Sequence, residues 1–289
     1  MWLLLINPKS GNGRGDKIGE LVKDELRALG IEYIDLSADS AQQSQENLKS
    51  KLKESQKFDG LFLVGGDGTV NLAVQELVGS GLGIALIPAG TGNDFARTLN
   101  LKLKEPEQLI KYYLSNKPLL IDVGKVGEKY FVDVLSTGFD SMVNERANAM
   151  KRVKGRAKYN ISIILVLSTF KPKSYRFSID GYSFESKAML IAVSNGICYG
   201  GGMKVTPDAK IDDGLFDIFI LSPVSKLEFL KVFPKVFFGK HTTHPAVKIS
   251  RGRSVEIDSD AVAYADGERV GPLPVKARVI ERGLLTWRM

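Results

Sequence analysis

A single cysteine, Cys198, occurs among the 289 residues. That excludes an internal disulfide framework and makes a reducing, cytoplasmic compartment the expected setting. Histidine is almost as scarce. His241 and His244 have the spacing of neighbouring helical turns, but no acidic partner stands beside them, so they are expected to be surface or packing residues. No apolar run approaches the roughly 20 residues needed to cross a bilayer, the longest beyond the N-terminus being residues 161–170. The opening hexapeptide is apolar without a basic flank and passes straight into Asn7, Pro8 and a glycine cluster, which reads as a first strand rather than a leader. G-x-x-x-x-G-K-[ST] is absent, and the first glycine cluster lacks G-x-G-x-x-G spacing, so ordinary Walker and dinucleotide sites are disfavoured. Internal repeats, low-complexity tracts and long linkers are absent as well.

The length points to two domains sharing a cleft. The formal net charge of +7 is unevenly spread, since residues 1–122 hold 14 Lys+Arg against 16 Asp+Glu while residues 123–289 hold 26 against 17. A basic second part suits an anionic surface, phospholipid or nucleic acid, or is simply a solvated face. No nucleic-acid reading motif accompanies it.

Hydrophobic periodicity in the first part alternates strand and helix. Residues 2–6, 31–36, 58–64 and 83–87 read as strands, and residues 16–29, 42–52 and 70–78 as helices. That order implies a mainly parallel α/β domain over residues 1–122, with ligands at the carboxyl ends of the strands. Beyond residues 119–126 the pattern changes to short β-like runs at 130–135, 175–179, 188–193, 215–221, 246–249, 254–257 and 275–279. A second, β-rich antiparallel domain of sandwich type is expected over residues 123–282, and residues 283–289 are candidates for a return to the first.

Three glycine clusters follow strand ends in the first part. Asn7, Pro8, Lys9, Ser10 and Gly11 open the first, a loop whose backbone N–H groups suit an anion. Gly65, Gly66, Asp67, Gly68 and Thr69 form the second and most specific, followed by Asn71. Glycines there let the backbone approach phosphates, and Asp67 supplies a carboxylate for Mg²⁺. The third spans residues 88–97, in which Thr91 offers a hydroxyl, and Asn93 and Asp94 either cap the next helix or meet the ligand.

The second and third clusters together resemble the catalytic-domain signature of diacylglycerol kinases and their bacterial relatives, and the likeness extends over essentially the whole chain. It implies an ATP-binding domain, a lipid-acceptor domain and a cleft between them, with Mg-ATP as phosphoryl donor and a membrane lipid hydroxyl as acceptor. By position it also implies that Ser37 contacts the nucleotide, that Asp122 helps Asp67 hold the catalytic Mg²⁺, and that Glu268, in the Asp266-Gly267-Glu268 turn, takes the acceptor proton. A structural Mg²⁺ is implied at the Lys210 and Leu215 carbonyls and the Asp213 carboxylate. Residues 226–240 and the basic cluster at 151–158 are candidates for reversible contact with an anionic membrane, as well as for core packing. No nucleic-acid partner is expected, and a homodimer is left open. The rival readings are a kinase of a soluble acceptor, of NAD-kinase or phosphofructokinase type, and a non-catalytic nucleotide-binding module.

Overall fold

The computed structural model describes residues 1–101, 105–150 and 156–289. In the first part, β1 (Trp2–Ile6), α1 (Ser10–Ala28), β2 (Tyr33–Asp35), α2 (Ala41–Lys51), β3 (Leu61–Gly65), α3 (Asp67–Leu77) and β4 (Gly83–Pro88) follow in turn. The strands pair in parallel in the order β2-β1-β3-β4. β1, β3 and β4 are covered on both faces, which is why they are continuous apolar runs rather than alternating ones. Their carboxyl ends lie on one edge, so the three glycine clusters meet there. Two short helices, α4 (Asp94–Thr98) and α5 (Pro106–Ser115), complete this part.

The chain then forms β5 (Leu119–Val126), β6 (Lys129–Phe131), β7 (Val134–Gly138), α6 (Phe139–Ala149), α7 (Arg156–Thr169), β8 (Lys173–Ile179), β9 (Tyr182–Ala188), β10 (Leu190–Ser194) and β11 (Phe216–Leu221). After these come α8 (Lys226–Val232), a 3-10 segment (Phe233–Phe238), β12 (Val247–Gly252), β13 (Ser254–Asp258), β14 (Val262–Ala265), β15 (Glu268–Pro272) and β16 (Val275–Thr286). One antiparallel sheet runs β12-β11-β10-β7-β14-β15. The other strands continue the first sheet as β4-β16-β13-β8-β9, with β5 and β6 alongside β16. The antiparallel sheet is covered twice. Phe131, Phe216, Phe177 and Val255 fill the space between the sheets, and Phe139, Phe170, Phe219 and Phe229 fill the space under α6, α7 and α8. Burying each such side chain contributes about 1.5–3 kcal/mol.

β16 ties the two parts together. Its first half pairs antiparallel with β5 and β13, and Leu285 and Thr286 pair in parallel with Gly83 and Ile84. Trp287 then packs 5.8 Å from Trp2 and 5.5 Å from Tyr113, ring centre to ring centre.

The run expected as one strand at 130–135 is broken into β6 and β7, because the Asp266 carboxylate takes the N–H groups of Val132, Asp133 and Val134. β9 carries exposed polar residues on its outer edge, so it lacks the apolar alternation of a half-buried strand. Residues 151–155 of the basic cluster lie outside the described residues. Among the described residues no helix is long and apolar enough to cross a membrane.

Candidate active site

Three loops at the carboxyl ends of β1, β3 and β4 pack backbone to backbone. The Asn7 N–H donates to Val64 O at 2.9 Å, and its side-chain amide donates to Thr69 Oγ1 at 3.0 Å, which fixes the first loop to the second. Lys9 N–H returns to Asn7 Oδ1 at 3.2 Å, and Ser10 N–H to Asn7 O at 3.1 Å. Gly11, with φ +58°, begins α1 in a left-handed conformation, and a Cβ there would stand 2.1 Å from Ala89 O. A Cβ at Gly90 would stand 2.5 Å from Gly66 Cα. Only glycine permits these two approaches. The Arg14 guanidinium donates to the Ala89 and Gly90 carbonyls and locks the first loop to the third.

Asp67, half-buried, lies between the second and third loops. Its Oδ1 accepts from Asp94 N–H at 2.7 Å and more weakly from Phe95 N–H at 3.4 Å, capping the start of α4. Its Oδ2 faces Gly92, where a Cβ would come within 2.5 Å. Burial and the neighbouring Asp94 charge push the Asp67 carboxyl above its usual range. A carboxylate on the cleft lining with one oxygen held by backbone is a donor that fits a Mg²⁺ beside phosphates. Thr91 is exposed on the cleft lining, Gly68 is exposed, Pro8 and Asn71 are half-buried, and Asn93 turns left-handed at φ 55° with its amide on Gly90 O at 2.9 Å.

Asp94 resolves the choice between cap and ligand in a third way. Its carboxylate accepts from Gly201 N–H at 2.7 Å and Gly202 N–H at 2.6 Å, in a loop of the second part where Gly200, Gly201 and Gly202 all have positive φ. It therefore straps the two walls of the cleft together. Asp133, also on the cleft, accepts from Thr98 Oγ1 at 2.7 Å, and burial beside Asp266, Asp94 and Asp67 pushes its carboxyl well up. Asp266 is pushed up to about 6 by burial against the opposing effect of its three backbone donors.

Other expected residues lie elsewhere. Asp122 is buried at the junction of the two parts, where Oδ1 accepts from Arg282 N–H and Oδ2 from Gly214 N–H, both at 2.7 Å. Its carboxylate clamps backbone and is not among those lining the cleft. The Ser37 hydroxyl accepts from Ile6 N–H at 2.8 Å and is held within the strand ends. Glu268 is exposed at the start of β15, next to Gly267 at the mouth of the cleft. At the expected structural metal site, Lys210 is exposed and Asp213 is paired with Arg251 instead. His241 is buried with Nε2 3.0 Å from Val205 O, and His244 meets Glu228 at 3.2 Å.

From Asp67, Asp94, Asp133 and Asp266 a cavity of about 830 Å³ runs into the second part. Its far walls are apolar, with Phe139, Leu190, Phe219, Phe229, Phe233 and Phe237. Asp140 stands among these walls as a carboxylate. Both of its oxygens are buried, and the Ser136 and Tyr199 hydroxyls stand nearby but outside hydrogen-bond geometry. Burial pushes the Asp140 carboxyl up to about 6. Sequence reasoning missed Asp133 and Asp140. A carboxylate inside the apolar run Phe131-Val132-Asp133-Val134-Leu135 was the available signal.

Comparison with known proteins agrees with this layout. Residues 1–126 match the family model described as diacylglycerol kinase catalytic domain, and residues 133–286 match the one described as YegS C-terminal NAD kinase beta sandwich-like domain. A protein named diacylglycerol kinase from Mycobacterium tuberculosis (strain ATCC 25618 / H37Rv) is 32% identical over 291 residues, covering 98% of this chain and 94% of that one. Another of the same name from Staphylococcus aureus (strain Newman) is 27% identical, covering 96% and 89%. A crystal structure described as a diacylglycerol kinase from Bacillus anthracis str. Sterne superposes with a TM-score of 0.78 at 24% identity, over 100% of this chain and 96% of that one, and so shares the fold. A parallel α/β part followed by an antiparallel β part is thus held in common, and the chain belongs to the diacylglycerol kinase family.

Proposed function

We propose that this chain is a Mg-ATP-dependent lipid kinase that phosphorylates the hydroxyl of diacylglycerol or a related membrane lipid at the surface of an anionic, cytoplasmic membrane. The observation that carries this reading is the cavity: one continuous space of about 830 Å³ joins the carboxylates beside the glycine loops to an aromatic, aliphatic interior. Its size lies within the roughly 300–1,000 Å³ of small-molecule pockets. A soluble, multiply hydroxylated acceptor would leave those apolar walls without a partner.

The backbone N–H groups of the first two loops bind and orient the phosphates. Asp67 and the phosphates would hold Mg²⁺, whose charge offsets that of the transferring phosphoryl group. Asp94 keeps the second wall of the cleft against the first. Glu268, beside Gly267 at the cleft mouth, takes the proton of the acceptor hydroxyl.

The outer side of the cavity supports the membrane part of the proposal. α8 and the 3-10 segment line the cavity with Phe229, Phe233 and Phe237, and expose Leu227 (73%) and Phe238 (75%) among Lys226, Lys231, Lys235 and Lys240. Apolar side chains framed by lysines suit anionic lipid headgroups over an acyl interior.

The test is transfer of labelled phosphate from Mg-ATP to a panel of lipids in mixed micelles. Label is expected in the chloroform-extractable phase with diacylglycerol or a related glycerolipid. Transfer to NAD or a sugar phosphate, with none to any lipid, would overturn the proposal.

A further inference from the structure

We propose that Arg251 is a built-in cation that takes the place of a structural metal ion at the Asp213 turn, so that the fold of this chain does not depend on Mg²⁺. The inference concerns the turn alone and stands whichever acceptor is phosphorylated.

The residues around the turn carry the argument. The Arg251 guanidinium contacts Asp213 Oδ2, and Asp213 Oδ1 accepts from Leu215 N–H at 3.2 Å, so both carboxylate oxygens have protein donors. Arg251 Nε also lies 3.4 Å from Asp217 Oδ1. Arg251 is delivered there by the sheet, because Asp217 on β11 and Arg251 on β12 are directly opposed partners in the antiparallel ladder. A one-residue slip would turn the arginine to the other face.

The neighbouring acids are answered in the same way. Asp212 meets Arg288 at 3.1 Å, and Glu281, packed against Gly214, meets Arg253 at 2.9 Å. Arg251 from β12, Arg253 just before β13 and Arg288 at the chain end thus pair with Asp213, Glu281 and Asp212 around the turn.

Mg²⁺ asks for near-octahedral oxygen ligands at about 2.0–2.1 Å and is reluctant to shed water. Lys210, Asp213 and Leu215 would supply one carboxylate and two carbonyls, and the carboxylate is already held by a group that stays charged at every accessible pH. A dication beside that guanidinium would face like-charge repulsion. The residues present therefore do not fit the ion that family resemblance implies, and they fit a guanidinium well. The Mg²⁺ requirement of the chain is then confined to nucleotide chemistry.

Melting of the full-length protein in chelator and in Mg²⁺ at matched ionic strength tests this. The wild type is expected to melt at the same temperature in both. A bound structural ion would raise it by several degrees, because ligand that binds only the folded state stabilises in proportion to the logarithm of its saturation. Arg251→Gln frees Asp213, so it should melt lower in chelator and recover in Mg²⁺, and it should bind one more Mn²⁺ than the wild type by electron paramagnetic resonance. Arg251→Lys should stay insensitive to chelator.

A wild-type rise in Mg²⁺ that Asp213→Asn abolishes would overturn the proposal, and that comparison remains decisive if Arg251→Gln does not fold. A loss in Arg251→Gln that Mg²⁺ leaves unrecovered would overturn it too.

Discussion

Two Asp-Gly turns, Asp67-Gly68 at the end of β3 and Asp213-Gly214 before β11, have the same residue pair and opposite surroundings. At Asp67, backbone N–H groups of α4 hold one oxygen, and the other lies against Gly92, where only a glycine leaves room for it. At Asp213 both oxygens have protein donors, one of them a guanidinium set by strand register. The same carboxylate is thus held by backbone at the cleft in one place and closed in an ion pair in the other. What decides is which cation the fold brings within reach, which the dipeptide alone does not encode.

The strongest way to break this contrast is Asp67→Ala. Turnover should fall to background while the melting temperature drops by only a few degrees, because the carboxylate caps α4 but adds little to the core. Phosphate transfer at saturating Mg²⁺ close to the wild-type rate would remove Asp67 from the chemistry and leave the two turns functionally alike.

Glu268→Gln asks a narrower question, whether the second part supplies a proton acceptor to the loops of the first. A general base is worth roughly 10²–10⁴-fold in turnover. The variant should lose activity within that range with ATP affinity and melting nearly unchanged. A loss of less than about twofold would make Glu268 a solvated residue of the β14–β15 turn.

The legible and illegible parts of this chain divide along physical lines. β1, β3 and β4 are buried on both faces, so composition alone marks them, and glycines forced by loop contacts at Gly11, Gly66 and Gly90 mark the edge where the three loops meet. Residues whose role depends on distant partners were opaque. Asp94 meets Gly201 and Gly202 more than a hundred positions away, and Asp122 meets Gly214 and Arg282. Arg251 has no motif at all, and its significance exists only in the register of β11 with β12. The apolar cavity was hidden for a different reason. Its walls on α6, α7 and α8 look like core residues, and only their spacing in three dimensions leaves a space between them.

Asp140 sharpens the comparison from a third side, as a buried carboxylate with hydroxyl and backbone donors nearby and no cation paired with it among the described residues. Burial raises its folded pKa to about 6, above the ordinary value of 3.8. Between those two values the folded protein binds more protons than the unfolded chain, so stability from this group is complete below about pH 4 and is lost as pH rises through about 6. Asp140→Asn has nearly the same shape and never ionises. It should therefore melt a few degrees higher than the wild type near neutral pH, with the difference shrinking to nothing toward about pH 4. Thermal unfolding followed across that range gives the sign directly. A wild type that instead gains on the variant as pH rises would mean that the carboxylate meets a donor in solution. Asp140 would then belong with Asp213 among the closed sites rather than with Asp67 among the open ones.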